Sequence, residues 1–199
     1  MRWLLWRARQ PYVRAWGDRP LLVLPGVLDP VATKVGAWLA ERVAAEALPG
    51  QRWVDMGCGT GIVGLALAAA GAEVTCVDID PRCDHNARAN AALLGHSIEC
   101  VESDLFTALH GRRFDRVAYN VPFWPGSGEG RPFARAMYAG EDHEAIRRFA
   151  EAFRSCCDEA RVVLGECGGD FVRARAALGE ARPMERAHVR GEWLDLFAL

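Results

Sequence analysis

Lysine is almost absent. Of 24 cationic residues only Lys34 is a lysine, and the 23 arginines are spread along the chain rather than clustered. The net charge of −2 excludes the global basic field that dedicated duplex binders carry. Long apolar runs are also missing. The longest, residues 62–72, has 11 residues and includes two glycines, well short of the ~18 a membrane span needs. Around Arg2, Trp3, Trp6, Arg7 and Arg9 the N-terminus is basic and aromatic but has no apolar h-region, so it does not read as a signal peptide. The expectation is a soluble cytoplasmic protein with no membrane partner. The seven cysteines (Cys58, Cys76, Cys83, Cys100, Cys156, Cys157 and Cys167) are odd in number and lack C-x-x-C spacing. This argues against a disulfide framework and a zinc site, and for buried reduced thiols. No repeat or low-complexity tract occurs.

What is present is apolar substance: 51% hydrophobic against 25% charged residues in a chain of 199, enough for one domain with a real core. From residue 50 onward short β-rich runs alternate with helical patterns, as in a sheet that is largely parallel. Strands are expected at 52–56, 73–78, 98–101, 114–120 and 161–164, with a closing hairpin at 187–190 and 192–199 turning at Gly191. Helices are expected at 61–70, 81–94 (opened by Pro81), 141–157 and 170–178. The third of these carries Ile146, Phe149, Phe153 and Cys156 on one face. Before residue 50 lie an aromatic arm, the apolar segment 21–27 and a helix at 30–48. The parts are read as an N-terminal arm and helix, 1–49, packed on a core at 50–199. The glycine- and proline-rich stretch 121–140 is unusually long for a loop, and long loops tend to be functional.

Four motifs carry chemistry. In Val54-Asp55-Met56-Gly57-Cys58-Gly59-Thr60-Gly61 a strand runs into a glycine turn that opens a helix. Glycines let a ligand approach the backbone closely, and the helix start offers free N–H groups. Dinucleotides and S-adenosylmethionine are both bound this way. The dinucleotide pattern finds a match only at Gly59, Gly61 and Gly64, two residues late relative to the strand. Asp78, at the end of the second strand, is placed to accept from ribose hydroxyls; Asp80 beside it reads as a helix cap. Glu102-Ser103-Asp104-Leu105-Phe106 follows the third strand. The fourth strand ends in Tyr119-Asn120-Val121-Pro122-Phe123-Trp124.

Together these resemble the class I S-adenosylmethionine-dependent methyltransferases, and more narrowly the small-domain subgroup with an Asn-x-Pro-Phe/Tyr motif that acts on planar nitrogens of protein glutamine or RNA bases. Leu24-Pro25-Gly26-Val27-Leu28-Asp29-Pro30 resembles the segment preceding the cofactor site, and Ala139-Gly140-Glu141-Asp142 the G-G-x-D/E-G turn, with His143 where a glycine is usual. The resemblance implies an α/β, Rossmann-like fold: a seven-stranded mixed sheet in order 3-2-1-4-5-7-6 with helices on both faces. It implies that Asp55, Gly57, Cys58, Gly59, Gly61, Asp78, Ile79, Asp104, Leu105 and Asn120 hold S-adenosylmethionine, with Asp104 accepting from the adenine amino group. No metal is implied. Asn120, Val121, Pro122 and Phe123 form the catalytic turn, and Phe123 and Trp124 bind the acceptor. A conjugated NH₂ is a poor nucleophile because its lone pair is delocalised. Carbonyls at Asn120 and Val121 would draw its hydrogens and return the pair to nitrogen, Pro122 removes a competing N–H, and Phe123 offers a stacking face.

The acceptor stays open at this level: an RNA base, a protein glutamine or a small molecule. The chain reads as a nearly bare catalytic domain without the added recognition domains of larger relatives. A helper subunit or homodimer, a cofactor-binding subunit without its own activity, and an NAD(P)-dependent oxidoreductase remain alternatives. Tyr12, Trp16 and the arginines of the arm read either as a binding surface or as aromatics packed on the core, and His143 as a solvated helix start.

Overall fold

Alternation along the strands divides the core between two sides of one sheet. The structure is a computed structural model that describes residues 9–131, 133–166, 170–189 and 191–199. Arg2, Trp3, Trp6 and Arg7 of the arm, together with Pro132, Cys167 and Arg190, lie outside the described residues. Strands β3 (Arg52–Met56), β4 (Glu73–Asp78), β5 (Glu99–Glu102), β6 (Phe114–Asn120), β7 (Cys157–Gly165), β8 (Arg182–Val189) and β9 (Glu192–Ala198) form a seven-stranded sheet in the order β5-β4-β3-β6-β7-β9-β8. Counted from β3, this is the 3-2-1-4-5-7-6 order that the motifs imply. The first five run parallel, and β9 enters antiparallel between β7 and β8. Side chains on alternate residues point to opposite faces. Trp53, Cys76, Ala118 and Val163 therefore join one apolar cluster, and Val54, Val77, Val117 and Val162 the other.

Three helices cover the first face: α1 (Val35–Glu46), α2 (Ile62–Ala69) and α3 (Pro81–Leu94). Helix α2 is buried over its first six residues because it lies between α1 and the sheet. Helix α3 starts as its sequence implies: Pro81 occupies the first turn and Asp80 accepts from the Arg82 N–H at 3.0 Å. Across the sheet, α5 (Glu144–Ala152) and α6 (Phe171–Ala177) cover the second face. A short helix α4 (Ala134–Met137) lies within the long loop.

Several boundaries differ from expectation. The helix expected at 141–157 is broken at both ends. Asp142 and His143 take left-handed backbone, so regular helix begins only at Glu144. At the other end Cys157 is needed in the sheet opposite Phe114, so the chain leaves the helix through a 3₁₀ turn at Phe153–Ser155. Ile146, Phe149, Phe153 and Cys156 are nonetheless all buried. Strand β8 begins five residues earlier than expected, at Arg182. Its start reads as loop because of Pro183, which sits at a register shift on the outer edge strand, where proline is tolerated. The helix expected at 30–48 is shorter at its start, because Asp29 instead turns the chain, its Oδ1 accepting from the N–H groups of Val31 and Ala32 at 2.9 Å.

The arm is not a loose tail where it is described. Residues Tyr12–Trp16 (β1) and Arg19–Val23 (β2) pair as an antiparallel hairpin separate from the main sheet. Trp16 is buried in the first core, and the Tyr12 hydroxyl donates to Asp29 at 2.9 Å. For these two aromatics the packed reading is the correct one. The six described cysteines are free and buried. Among the described residues no helix is long and apolar enough to cross a membrane.

Candidate active site

The C-terminal ends of β3, β4 and β6 bring the glycine turn, Asp78 and Asn120 to one edge of the sheet. Met56 lies beside Tyr119 in one register and Val77 in the other, so the residues after β3 and β6 emerge side by side. Gly57, Gly59 and Gly61 all have positive φ, a region that costs a side-chain-bearing residue about 1–2 kcal/mol. Space adds to this at Gly61, where a Cβ would come within 2.9 Å of the Ala87 methyl. Gly57 is exposed, and a Cβ there would come within 3.0 Å of the Tyr119 ring. Tyr119 thus forms the floor beneath the turn. Neither its burial nor its tilted contact with Phe149, 4.9 Å between centroids, was announced by any motif.

Two carboxylates brace this turn through backbone N–H groups. Asp55 is buried under it, with Oδ2 accepting from Gly64 at 2.8 Å. Burial raises its pKa to about 7, against the lowering pull of the Gly64 bond and with a further rise from the Asp78 charge. Asp55 therefore shapes the turn from below rather than facing the cleft. Asp78 accepts from Gly59 at 3.0 Å through one oxygen and from Asp80 at 3.0 Å through the other. Desolvation by burial moves its pKa upward too. The Cys83 thiol also donates to this carboxylate, which leaves one of its four lone-pair positions to accept a ribose hydroxyl. Ile79, the next residue, is 43% exposed at the strand end. Cys58 is buried within the turn, and its N–H donates to Val77.

Asp104 and Leu105 follow β5 at the same edge. The Ser103 N–H donates to the Asp78 carbonyl at 2.9 Å, tying the ends of β4 and β5 together. One Asp104 oxygen is engaged by Arg148 at 2.8 Å, which leaves the other for a ligand. Leu105 is half-buried with positive φ, packed on the second core. An open glycine turn, an acceptor at Asp78 and apolar groups at Ile79 and Leu105 fit an adenosine-containing cofactor with a sugar and a purine ring.

On the other side, Asn120 ends β6 beside Val163. It is half-exposed, and among the described residues its side-chain amide makes no hydrogen bond. Val121 is buried after it, and the Phe123 ring lies over Gly165 at the end of β7, where a Cβ would come within 3.1 Å. Trp124 meets Tyr138 edge-on, 5.5 Å between centroids. The two rings, with Gly128, Glu129 and Arg131, line an open recess of about 580 Å³. His143 is not a solvated helix start: it is 1% exposed, and Nε2 lies 3.2 Å from the Phe123 carbonyl.

Two further residues escaped sequence reasoning. Asn86 and Asn90 stand one turn apart on α3 and are fully buried. Asn90 Oδ1 accepts from Leu22 N–H at 2.7 Å, and its Nδ2 donates to the carbonyls of Leu22 at 2.8 Å and Thr60 at 3.0 Å. Asn86 binds Leu24 N–H and the Leu22 carbonyl in the same way. They fasten the N-terminal hairpin to the glycine turn. Asparagines four apart on an otherwise apolar helix face were the available signal.

The methyltransferase small domain family matches residues 31–143, from the segment before α1 to His143. The chain belongs to that family. It is 35% identical over 141 residues to the release factor glutamine methyltransferase of Deinococcus radiodurans, covering 66% of this chain and 46% of that protein. It is 34% identical over 117 residues to the tRNA1(Val) (adenine(37)-N6)-methyltransferase of Porphyromonas gingivalis, covering 54% and 45%. The chain thus spans just under half the length of these relatives. Among solved structures, the T. thermophilus 16S rRNA N2 G1207 methyltransferase in complex with AdoMet and guanosine superposes with a TM-score of 0.66 at 18% identity, over 95% of this chain and 49% of that one. The ribosomal protein L11 methylase of Lactobacillus delbrueckii subsp. bulgaricus gives 0.61 at 19%, over 88% and 82%. At such identities these two likenesses show the fold, a Rossmann-like methyltransferase sheet.

Proposed function

We propose that this chain is an S-adenosylmethionine-dependent N-methyltransferase acting on a planar amino or amide nitrogen of a macromolecule, an RNA base or a protein glutamine. The observation that carries the reading is Asn120: a half-exposed amide without a partner among the described residues, at the end of β6 beside a glycine turn whose own polar groups are braced. The relatives named above support it, since they include enzymes for a release factor glutamine and a tRNA adenine N6.

Gly57, Gly59 and Gly61 would hold the cofactor against the turn, Asp78 its ribose, and Asp104, Leu105 and Ile79 its adenine. When bound, the cofactor supplies an electrophilic methyl group on a sulfonium. The Asn120 side-chain carbonyl and the Val121 backbone carbonyl would accept hydrogen bonds from the two N–H groups of the acceptor nitrogen and localise its lone pair; the methyl would pass to that nitrogen as its bond to sulfur breaks, and the displaced N–H proton would leave to water. Pro122 adds no competing donor and stiffens the turn. Phe123 gives the acceptor plane a face, with Trp124 and Tyr138 extending the surface along the loop. Most of the barrier is lowered by positioning.

The test is tritium transfer from labelled cofactor into an extract of a strain lacking the gene, fractionated into RNA, protein and small molecules. Label on a nitrogen in RNA or protein is the expected result. Label confined to small molecules would favour a metabolite acceptor, and label on carbon or oxygen would refute the nitrogen assignment in any fraction.

A further inference from the structure

We propose that His143 is a positioning residue for the acceptor turn, holding Asn120–Phe123 in its working geometry through the Phe123 carbonyl. The inference rests on reading that turn as the acceptor site.

The long loop after β6 is closed by a backbone ladder. The Trp124 N–H donates to Met137 at 2.9 Å, its carbonyl accepts from Ala139 at 2.8 Å, and Gly126 and Gly140 exchange a pair at 3.0 and 3.1 Å. This ladder stops at Trp124, one residue short of the acceptor turn. The side chain of His143 supplies the next rung, with Nε2 at 3.2 Å from the Phe123 carbonyl. A carbonyl only accepts, so Nε2 carries a proton, and in the neutral ring that is the Nε2–H tautomer.

The placement is costly in two ways. His143 and its neighbour Asp142 both sit in the left-handed region, φ 56° and 49°, where side-chain-bearing residues are strained. Nδ1 is buried and has no partner among the described residues. A glycine would avoid both costs, so neither backbone economy nor polar satisfaction accounts for a histidine here. The contact that it makes does. Asn120 is fixed at one end by the β7 ladder, and Pro122 has a fixed φ. With the Phe123 carbonyl held by His143 and its ring against Gly165, the intervening Val121 carbonyl has a defined direction. That carbonyl is one of the two proposed acceptors of the substrate's hydrogens, so its aim affects the reacting nitrogen directly.

His143→Gly removes the ring while suiting the backbone. In the labelled-methyl assay we expect kcat to fall about 10- to 100-fold, the scale of an ångström-sized misplacement. The dissociation constant for S-adenosylmethionine should stay within about twofold, because the glycine turn is braced independently. Imidazole added to the His143→Gly protein should restore part of the lost turnover, which a role in folding alone would not produce. Selective ¹⁵N-histidine NMR of the wild-type chain should show His143 as the Nε2–H tautomer. Wild-type kcat in His143→Gly overturns the proposal; so does an Nδ1–H tautomer, or a loss that imidazole leaves unchanged and that is matched by lost cofactor binding. If Asn120→Ala keeps full turnover, the acceptor reading itself fails. If Asn120→Ala is crippled and His143→Gly is not, only the His143 inference fails.

Discussion

The two halves of the cleft are built by opposite means. On the cofactor side, backbone groups are satisfied by buried polar side chains: the N–H groups of Gly64, Gly59 and Asp80 by the Asp55 and Asp78 carboxylates, and Leu22 N–H and the Thr60 carbonyl by the Asn90 amide. On the acceptor side, Asn120 has no side-chain partner among the described residues, two consecutive residues are held in left-handed backbone, and a loop of some twenty residues is tied by a short ladder. A turn that must fit one invariant ligand can be completed in advance by the protein. A site that must relieve a nucleophile's delocalisation needs acceptors left free until the substrate arrives. The difference predicts that substitutions on the acceptor side should cost turnover and spare cofactor binding, and that those on the cofactor side should do the reverse.

The largest effect expected is at Asn120. Under the proposed function, replacing it with Ala removes one acceptor for the reacting nitrogen and, among the described residues, no side-chain hydrogen bond that supports the fold. Turnover should fall about 10²- to 10³-fold, the range for a preorganised transition-state contact, with cofactor affinity by titration calorimetry unchanged. A parallel loss of affinity would show that the halves are not separable.

Next comes the buried brace. The carboxyl of Asp55, raised to about 7 by burial, keeps its proton in the folded chain over a range where the unfolded chain, near pH 4, has already released it. The folded state therefore binds more protons between these values, and stability is full below about pH 4 and lost as pH rises towards 7. At roughly 1.4 kcal/mol per unit over about three units, the loss is on the order of 4 kcal/mol. Asp55→Asn keeps an acceptor for Gly64 and has nothing to titrate. The wild type minus variant difference in unfolding free energy, followed by urea titration from pH 5 to 8, should therefore grow steadily less favourable to the wild type. A flat difference would mean that Asp55 ionises normally.

Asp78→Ala should weaken cofactor binding by about 1.5–3 kcal/mol, the scale of hydrogen bonds to a charged group. It should leave kcat at saturating cofactor largely intact, because Asn120 and Val121 are untouched. Calorimetry with S-adenosylhomocysteine checks the first half and saturation kinetics the second. A collapse of kcat at saturation would mean that the glycine turn positions the methyl group as well as the cofactor's sugar.

The legibility of the sequence follows the same division. The central strands and the cofactor edge were readable because buried parallel strands are largely apolar runs and because glycine at 57, 59 and 61 has a conformational reason; the sheet order followed only from the family that the motifs resemble. The β1–β2 hairpin was missed although Gly17-Asp18 is a fitting two-residue turn, since Trp and Arg on either side suggested a surface arm. Asn86 and Asn90 were missed because their hairpin partners, Leu22 and Leu24, lie more than 60 residues away and Thr60 lies 30 residues away. His143 was read wrongly because nothing in local propensity announces a side chain in left-handed backbone. It takes the ladder from Trp124 to Gly140 to put it there.

The smallest effect tests whether Asp104 belongs to the braced half at all. Among the described residues its carboxylate is bound by Arg148, 2.8 Å away, and both side chains are close to half exposed. A pair of this kind contributes at most about 1 kcal/mol to stability, because water and salt screen it. Arg148→Ala should thus barely move the melting temperature. If Asp104 receives the adenine amino group, releasing it from Arg148 should leave cofactor affinity equal or slightly improved, since one competing donor has gone. Asp104→Ala should lower that affinity while changing stability as little. If both variants weaken the cofactor alike, Arg148 holds Asp104 in the orientation that the adenine needs, and the salt bridge is part of the cofactor edge rather than a surface contact beside it.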